Sequence, residues 1–237
     1  METNNPDLSQ NEVVTTSVLN EVDIINAPNA YLIQMVMITW HPTALLISLS
    51  AMGDAKIDWG DGSARQPVLT SNEGSLYHKF SDSAPVHAIT ITGNNVKHLV
   101  CNSMGITALD VGWNYKLTYL NCSGNKLIFL DLASCDLKIL YCQYNSLTEL
   151  SLGHTQNIQY LDCSHNKLTF LSLGMNSNIK SINLEDNLFT DFYLNSLFDS
   201  LPYNNTSSLY AINIKSNPGA STCKIEKAIK KRWSVIS

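Results

Sequence analysis

The sequence predicts a mainly β protein in which a small N-terminal antiparallel β-sandwich precedes a right-handed solenoid of short repeats that ends in a C-terminal helical cap. Three observations predict this fold class. A pattern of apolar residues returns every 20 or 21 residues through the second half of the chain. The first part contains short runs of β-branched and aromatic residues separated by turn-forming clusters. The last residues have apolar side chains at helical spacing.

Composition supports this class and limits the partners. The 237 residues are 44% hydrophobic but only 15% charged, and the net charge is −5. The chain can therefore bury a continuous core, and it offers no general basic surface for nucleic acid. Six Lys or Arg residues between Lys215 and Arg232 form a basic stretch that only Glu226 opposes. We expect a flexible polar leader over 1–21, the sandwich over 22–93, the solenoid over 94–219 and the cap over 220–237.

No apolar run is long enough to cross a bilayer, which takes about 20 residues in a helix. The best candidate, 32–41, is interrupted by Gln34, Thr39 and His41. The leader lacks the basic and apolar regions of a secretory signal peptide. We therefore expect no membrane insertion by this chain. The protein is expected either to be cytosolic or to have lost its export signal.

The repeat reads L-x-x-L-x-C-x-x-N-x-L-x-x-L-x-L and keeps one frame through five or six copies. The fifth copy assigns Phe192 and Leu194 to its last two apolar positions, and the sixth begins at Leu209. The third apolar position is held by Cys101, Cys122, Cys142, Cys163, Leu184 and Ile214. The asparagine position is held by Asn125, Asn145, Asn166, Asn187 and Asn217.

An insertion between the fifth and sixth copies predicts a short helix. Asn195 or Ser196 is the expected N-cap, and Pro202 the expected stop. The expected apolar face consists of Leu197, Phe198 and Leu201.

The repeat resembles the leucine-rich repeat, whose copies each place one strand along a horseshoe. The resemblance covers 94–219. It implies parallel strands whose alternating apolar residues point inward, while the residues between them face the concave side.

Three explanations compete for the cysteines: metal binding, disulfides and core packing. His98 precedes Cys101 by three residues and His165 follows Cys163 by two, which suggests zinc, but the histidines fall at outward positions. Inward residues on parallel strands are poorly aimed for a disulfide. Leucine and isoleucine take the same position in the last two copies, so we predict core packing, with no metal and no cofactor.

The asparagines are expected to bind backbone groups that lose their sheet partners where each repeat turns a corner. A weaker second-corner position falls at Asn114, Cys135, Thr155 and Asn176.

The segment before the repeats resembles the polycystic-kidney-disease type (PKD-like) sandwich. The residues that carry the resemblance are Trp59, Gly60, Asp61, Gly62, His78, Phe80 and the strand 87–91. Asp58 and Asp61 suggest calcium, but the spacing of a full calcium loop is missing. We predict that these two carboxylates stabilise the turn.

The C-terminal segment has Ile225, Ala228, Ile229 and Trp233 at helical spacing, with lysines on the other face. It predicts either a membrane-surface helix or a cap over the last repeat, and the cap is favoured because a solenoid needs one. The ending is also similar to that of leucine-rich repeat proteins of gut bacteria, which are typically exported. This resemblance implies an extracellular or cell-surface location.

These features favour a non-enzymatic binding or adhesion protein, a monomer whose concave face binds a protein or glycan. The alternatives are a structural spacer and a hydrolase, but no nucleophile, base and orienting group stand at a recognisable spacing. Tyrosine offers a large contact area with a polar tip. The predicted binding residues are Tyr119, Tyr141, Tyr144, Tyr160, Asp162, His165 and Asp186.

Overall fold

The computed structural model describes residues 34–237, except 41, 52–54, 69–73, 82, 94, 113, 133, 134 and 154. The predicted leader and residues 22–33 of the predicted sandwich lie outside the described residues. The described residues fall in one compact unit. They are mainly β with few helices, which confirms the predicted class at that level.

The strands before the repeats and in the first repeat are β1 (Gln34–Trp40), β2 (Ala44–Ala51), β3 (Lys56–Asp58), β4 (Gln66–Pro67), β5 (Gly74–Lys79), β6 (Val86–Thr92), β7 (Val96–Val100) and β8 (Ile106–Asp110). The later strands are β9 (Tyr119–Asn121), β10 (Ile139–Tyr141), β11 (Glu149–Ser151), β12 (Tyr160–Asp162), β13 (Phe170–Ser172), β14 (Ser181–Asn183), β15 (Tyr210–Asn213) and β16 (Trp233–Ile236). The helices are α1 (Asp191–Ser200) and α2 (Glu226–Lys230).

Two sheets run through the first part of the structure. One has the order β4-β3-β6-β1-β8, and its strands pair antiparallel, with Met37 opposite Ile89. The other begins as β5-β2-β7, also antiparallel. Apolar residues alternate along β1 and β2, so Met37 and Ile47 point into the same hydrophobic core.

The first repeat contributes to both sheets. Its strand β7 pairs antiparallel with β2 on one side and parallel with β9 on the other. Its second strand, β8, pairs antiparallel with β1. Both sheets therefore continue across the boundary predicted between the sandwich and the repeats, and both edges of β7 are paired.

Parallel strands one repeat apart form the rest of the second sheet, in the order β7-β9-β10-β12-β14-β15-β16. The central residue of each strand is buried and lies beside its counterpart in the next repeat. These residues are Leu99, Leu120, Leu140, Leu161, Ile182 and Ile212. Strands β11 and β13 form a second, shorter parallel pair. The repeat frame predicted from the sequence therefore gives the observed register.

The corner asparagines bind the backbone of two repeats, as predicted. Asn125 Nδ2 donates to the carbonyl oxygens of Cys101 (2.8 Å) and Cys122 (2.9 Å), and its Oδ1 accepts from the amide nitrogens of Met104 (3.0 Å) and Ile106 (3.1 Å). The other four asparagines repeat this pattern along the sheet. They satisfy buried backbone groups at the point where each strand ends.

The second corner is held in a similar way by more varied side chains. Cys135 Sγ donates to the Val111 carbonyl oxygen (3.2 Å), and Thr155 Oγ1 donates to that of Leu152 (3.1 Å). Asn176 Nδ2 donates to the Thr155 carbonyl oxygen. The sequence prediction of a second structural corner is confirmed at these positions.

Four cysteines form a buried column behind the parallel strands: Cys101, Cys122, Cys142 and Cys163, each 0% exposed. All six cysteines of the chain are free thiols. Burial raises the pKa of Cys122 to about 12. The packing role predicted for this column is confirmed by its place in the core. Among the described residues, no group of three or more His, Cys, Asp or Glu side chains could hold a metal ion.

The helix in the insertion begins earlier than predicted. Thr190 is the N-cap, not Asn195 or Ser196, and the helix ends at Ser200, just before the buried Leu201 and Pro202. The chain leaves the repeat directly after the buried Phe189, so the prediction that Phe192 points inward is wrong, and Phe192 is 72% exposed. The buried residues within the helix are Leu194, Leu197 and Phe198.

The sixth repeat differs from the prediction at its first position. Leu209 is 80% exposed, and Tyr210 is buried in its place. The reason is a tertiary contact, because the Tyr210 ring packs edge to face on Trp233 with ring centroids 5.3 Å apart.

The prediction that one helix extends through Trp233 is wrong. Helix α2 spans only five residues, Arg232 has a left-handed backbone (φ 64°), and Trp233 begins strand β16, which pairs parallel with β15. The lysine Nζ of Lys231 donates to the carbonyl oxygens of Asp199 (2.5 Å) and Leu201 (2.7 Å). The basic segment therefore binds the C-terminal end of α1, where cations are favoured.

The alternative of a membrane-surface helix loses two of its four apolar residues in this structure. Ala228 and Trp233 are buried inside the fold, and Trp233 Nε1 donates to the Pro202 carbonyl oxygen (2.8 Å). Across the described residues, no helix combines the length and the apolar character needed to cross a membrane.

Candidate functional site

The candidate site lies on the solvent side of the parallel strands. We call it the ladder face and define it by three columns of residues that flank the buried central residues. The first column, by strand register, is His98, Tyr119, Ile139, Tyr160, Ser181 and Ala211. The second is Val100, Asn121, Tyr141, Asp162, Asn183 and Asn213. The third lies in the turns after the strands: Ser103, Gly124, Tyr144, His165, Asp186 and Ser216.

One aromatic group joins the first two columns. The His98 and Tyr119 rings are stacked with centroids 4.1 Å apart, and Tyr119 meets Tyr141 edge to face at 5.9 Å. Tyr160 follows Ile139 in the first column and is exposed. Rings in such a group hold one another in place, so they form a firm apolar surface.

A second aromatic group lies in the third column. The Tyr144 and His165 rings are stacked with centroids 4.2 Å apart and an angle of 7° between their planes. His165 Nδ1 lies 2.9 Å from Asp186 Oδ2. Five of the seven predicted site residues are therefore brought together in two groups rather than in one central cluster: Tyr119 with Tyr141, and Tyr144 with His165 and Asp186.

Asp162 belongs to neither aromatic group, because a turn uses its carboxylate. Its Oδ1 accepts from the Ser164 amide nitrogen (3.0 Å) and hydroxyl (2.7 Å), and its Oδ2 accepts from Asn183 Nδ2 (3.2 Å). Asn121 accepts from Ser123 in the same way. Asn183 and Asn213 accept from the amide nitrogens two residues later.

The second column is therefore mainly a row of Asx turns, in which a short polar side chain holds the backbone at the strand end. Sequence reasoning missed this role. The signal was available, because Asn or Asp stands two residues before Ser in two of the copies.

Tyr141 departs from this row. It occupies the position at which the neighbouring repeats have Asn121 and Asp162. A phenol oxygen is too far from its own backbone to accept from the amide two residues later. The third repeat therefore lacks a hydrogen bond of about 1 kcal/mol that its neighbours have.

Tyr144 departs from the third column in a similar way. All six residues of that column have positive φ, between 52° and 66°. Glycine, as at Gly124, adopts this conformation without strain, and Ser, Asp and His tolerate it better than a bulky side chain does. A left-handed tyrosine costs roughly 1 kcal/mol, and Tyr144 is also 58% exposed. The strain offsets what the stack on His165 contributes, so fold stability gives no net reason for a tyrosine at this position.

The turn after β3 contains the two carboxylates that the sequence analysis assigned to turn stabilisation rather than to calcium. Asp58 Oδ1 accepts from the Gly60 amide nitrogen (3.0 Å), and its Oδ2 lies 3.0 Å from Arg65 Nε. Asp61 Oδ1 accepts from the Ser63 amide nitrogen (3.0 Å), and its Oδ2 lies 2.6 Å from His78 Nε2. Both carboxylates stabilise the turn, as predicted.

The Asp61 side chain is 2% exposed. Burial alone would raise the pKa of Asp61, but hydrogen bonds from Ser63 and His78 outweigh it and lower the pKa from 3.8 to about 2. Behind the turn, the buried Trp59 stacks on His78 with centroids 4.6 Å apart, and Phe80 packs edge to face on His78.

No protein-family model matches the chain, and no curated protein matches it. A solved structure that is similar is the functional domain of InlJ from Listeria monocytogenes, which includes a cysteine ladder. The two are 28% identical, the match covers 58% of this chain and 38% of that chain, and the TM-score is 0.35. This chain thus matches well under half the length of that domain.

Proposed function

We propose that the protein is a non-enzymatic binding protein whose ladder face binds a protein or glycan ligand. The observation that carries the proposal is the pair Tyr141 and Tyr144. Tyr141 is a half-buried ring where the neighbouring repeats have Asx-turn residues, and Tyr144 is an exposed ring on a left-handed backbone that glycine would adopt without strain. Positions at which a sequence breaks its own structural rule are expected to be functional.

The properties of the tyrosine side chain also support the ladder face as the binding surface. Tyrosine gives a large, rigid contact area with a polar tip at little cost in conformational entropy, which suits protein and glycan ligands alike. Tyr141 packs edge to face on Tyr119, which stacks on His98, and Tyr144 stacks on His165, so the rings are held in place before a ligand arrives. Such preorganisation lowers the entropic cost of binding.

We further propose that the parallel strands belong to a leucine-rich repeat solenoid and that the ladder face is its concave side. Support comes from the single register of the strands and from the asparagines at each corner. The antiparallel layers before it would be a PKD-like sandwich, supported by the packing of Trp59 on His78 behind the Asp61 turn. Helix α2 and strand β16 would form the cap, supported by their contacts with the end of α1.

Absence of catalysis is part of the proposal. A cysteine nucleophile must be a thiolate. Burial raises the pKa of Cys101, Cys122, Cys142 and Cys163, so these thiols stay protonated and inaccessible. A hydrolase assay with generic ester, peptide and glycoside substrates tests this part.

The proposed location is the outside of a bacterial cell, as the similarity of the C-terminal segment to exported repeat proteins implies. Protease treatment of intact cells that produce the protein tests the location. Loss of the protein while a cytosolic marker stays intact is the expected result. Protection of both would favour the cytosol.

The binding test uses substitutions that restore the structural rule. In the double variant Tyr141→Asn/Tyr144→Gly, the Asx turn and the unstrained glycine return, so folding should be retained while the contact area is lost. The matched control is Tyr115→Asn, an exposed tyrosine outside the three columns. The probes are an array of soluble oligosaccharides, purified mucins and purified extracellular-matrix proteins.

We expect the parent and Tyr115→Asn to bind the same probe with equal affinity and the double variant to bind it at least tenfold more weakly. Equal binding by the folded double variant would move the site away from the ladder face. Failure of the parent to bind any probe would favour the spacer alternative.

A further inference from the structure

A groove with aromatic walls lies outside the ladder face, along the short parallel strands β11 and β13. We call it the aromatic groove and define it by Phe129, Asp131, Glu149, Ser151 and Phe170, which line it together with the buried leucines between them. Phe129, Glu149 and Phe170 occupy the same position in three successive repeats, and Glu149 lies directly beside Phe170 in the strand register. The two phenylalanines are 60% and 45% exposed.

The spacing of the walls limits what fits between them. Neighbouring parallel strands lie about 4.8 Å apart, so Phe129 and Phe170, two repeats apart, are separated by roughly 10 Å. A flat group that stacks on a ring needs about 3.5–4 Å on each side. The spacing of their backbone positions therefore leaves room for one planar group between the two phenylalanines, in the row of Glu149.

The size of the groove supports the same conclusion. Its volume is about 180 Å³. Pockets for drug-sized ligands occupy about 300–1,000 Å³. The aromatic groove is therefore suited to a single long side chain rather than to a complete small-molecule ligand.

The charge of the groove selects a cation. Its two ionisable lining residues, Asp131 and Glu149, are both acidic. Within the described part of the chain, Glu149 is exposed and takes part in no ion pair. Aromatic ring faces attract cations, and a carboxylate can accept two parallel hydrogen bonds from a guanidinium group. Arginine can stack on the rings and donate two parallel hydrogen bonds to the carboxylate, whereas lysine carries the charge but lacks the planar group.

The groove continues into a second recess beside helix α1. The two share Phe170, and the recess is also lined by Leu173, Tyr193 and Ser196. Phe170 and Tyr193 meet edge to face at 6.2 Å, and the exposed Phe192 packs on Tyr193. The surface next to the cation site combines aromatic rings with serine hydroxyls and is large enough for a neighbouring side chain, which indicates a polypeptide rather than a free amino acid.

We propose that the aromatic groove binds an arginine side chain of a protein partner, with an apolar residue next to that arginine in the second recess. Phe129 and Phe170 stack on the guanidinium group, and Glu149 pairs with it. The aromatic groove lies outside the ladder face, so this proposal does not rest on the proposed function.

The test is a titration of the full chain with capped dipeptides, followed by amide chemical shifts in NMR. The probes are N-acetyl-Arg-Leu-amide and its citrulline counterpart, which has nearly the same shape without the charge. We expect the arginine peptide to shift amides around Phe129, Glu149 and Phe170, and the citrulline peptide to bind at least tenfold more weakly. N-acetyl-Lys-Leu-amide should lie between the two.

Two variants and one control assign the site. Glu149→Gln keeps the shape of the side chain and should weaken arginine-peptide binding at least fivefold, and Phe170→Leu should do the same. Glu226→Gln removes an exposed carboxylate in helix α2, far along the sequence from the groove, and should bind like the parent. Because Glu149 is exposed, Glu149→Gln will fold even if Phe170→Leu does not.

The proposal is overturned if the citrulline peptide binds as well as the arginine peptide. It is equally overturned if a folded Glu149→Gln variant binds like the parent, or if the shifts spread over the other carboxylates of the chain. A loss of binding in the Tyr141→Asn/Tyr144→Gly variant would also contradict it, because that variant leaves the groove unchanged.

Discussion

Asn166 binds the backbone of Cys142 in the preceding repeat, with 3.0 Å between Asn166 Nδ2 and the Cys142 carbonyl oxygen. The same amide group donates to the Cys163 carbonyl oxygen (3.1 Å), and its Oδ1 accepts from the Leu147 amide nitrogen (3.0 Å). One buried side chain therefore joins backbone groups of two repeats. Repetition of this contact along the sheet fixes the spacing of the strands and so the arrangement of the ladder face.

Asn166→Ala should therefore lower stability strongly, because buried backbone groups lose their partners. Each such group costs about 1–3 kcal/mol, so a loss of roughly 3 kcal/mol in the free energy of unfolding is expected. Urea denaturation followed by circular dichroism measures it. Asn205→Ala, at an exposed asparagine, is the control and should change stability by less than about 0.5 kcal/mol. A loss below 1 kcal/mol at Asn166 would show that the corner tolerates unpaired groups.

The cysteine column gives a second prediction. Cys122→Ala leaves a small cavity, and Cys142→Ser buries a hydroxyl group, so each should cost about 1–3 kcal/mol in the free energy of unfolding. Alkylation by iodoacetamide at pH 8 should be slow in the native protein and fast in urea, because burial raises the pKa of Cys122 to about 12. Stoichiometric zinc in the purified protein would contradict a packing role.

The C-terminal segment gives a third prediction. Removal of residues 220–237 strips β16 from β15 and uncovers Tyr210, which leaves an unpaired strand edge and an apolar surface. The shortened protein should aggregate or lose cooperative unfolding, as size-exclusion chromatography and thermal melting would show. Lys230→Ala, an exposed substitution at the end of α2, is the control. A monomeric shortened protein with an unchanged melting temperature would mean that the segment does not protect the repeats.

Acid should weaken the turn around Asp61. Its pKa is about 2 in the folded protein and 3.8 without the turn, so the carboxylate stabilises the fold fully above about pH 4. This contribution disappears as the pH falls from 4 towards 2. We expect Asp61→Asn to be less stable than the parent at pH 7 and the difference between them to shrink below pH 4. Urea midpoints at several pH values measure it, and a difference that stays constant down to pH 2 would contradict the role of Asp61.

The repeat spacing predicted the strand register because a shift of one residue would turn every apolar side chain, such as Leu140, to the solvent. Where the fold depends on contacts between distant residues, the same reasoning failed. Tyr210 rather than Leu209 is buried because Trp233 packs on it, and the lysine-rich segment ends as a strand because its side chains bind the end of α1. Local periodicity contains no information about such contacts.

The candidate site was predictable only in part, for a related reason. The columns of the ladder face follow from the register, so the neighbours of Tyr119 and His165 could be deduced. Positive φ at Tyr144 could not be deduced, because the sequence pattern gives side-chain directions but not backbone angles. The sequence analysis also missed the groove between Phe129 and Phe170. Both residues lie at exposed positions of the repeat, where no sequence pattern distinguishes a groove from a flat solvated surface.

The strained backbone of Tyr144 gives the last prediction. Tyr144→Gly relieves the left-handed conformation (φ 57°) but loses the stack on His165, two effects of roughly 1 kcal/mol each that oppose one another. The free energy of unfolding should therefore stay within about 1 kcal/mol of the parent's value. Tyr160→Gly is the matched control, because Tyr160 is also exposed but lies within strand β12. There glycine relieves no strain and weakens the strand, so a loss of about 1–2 kcal/mol is expected. Chemical denaturation measures the free energy of unfolding of both variants. Equal losses in the two would mean that the Tyr144 backbone stores no strain. Tyr144 would then give no reason to place a binding site there.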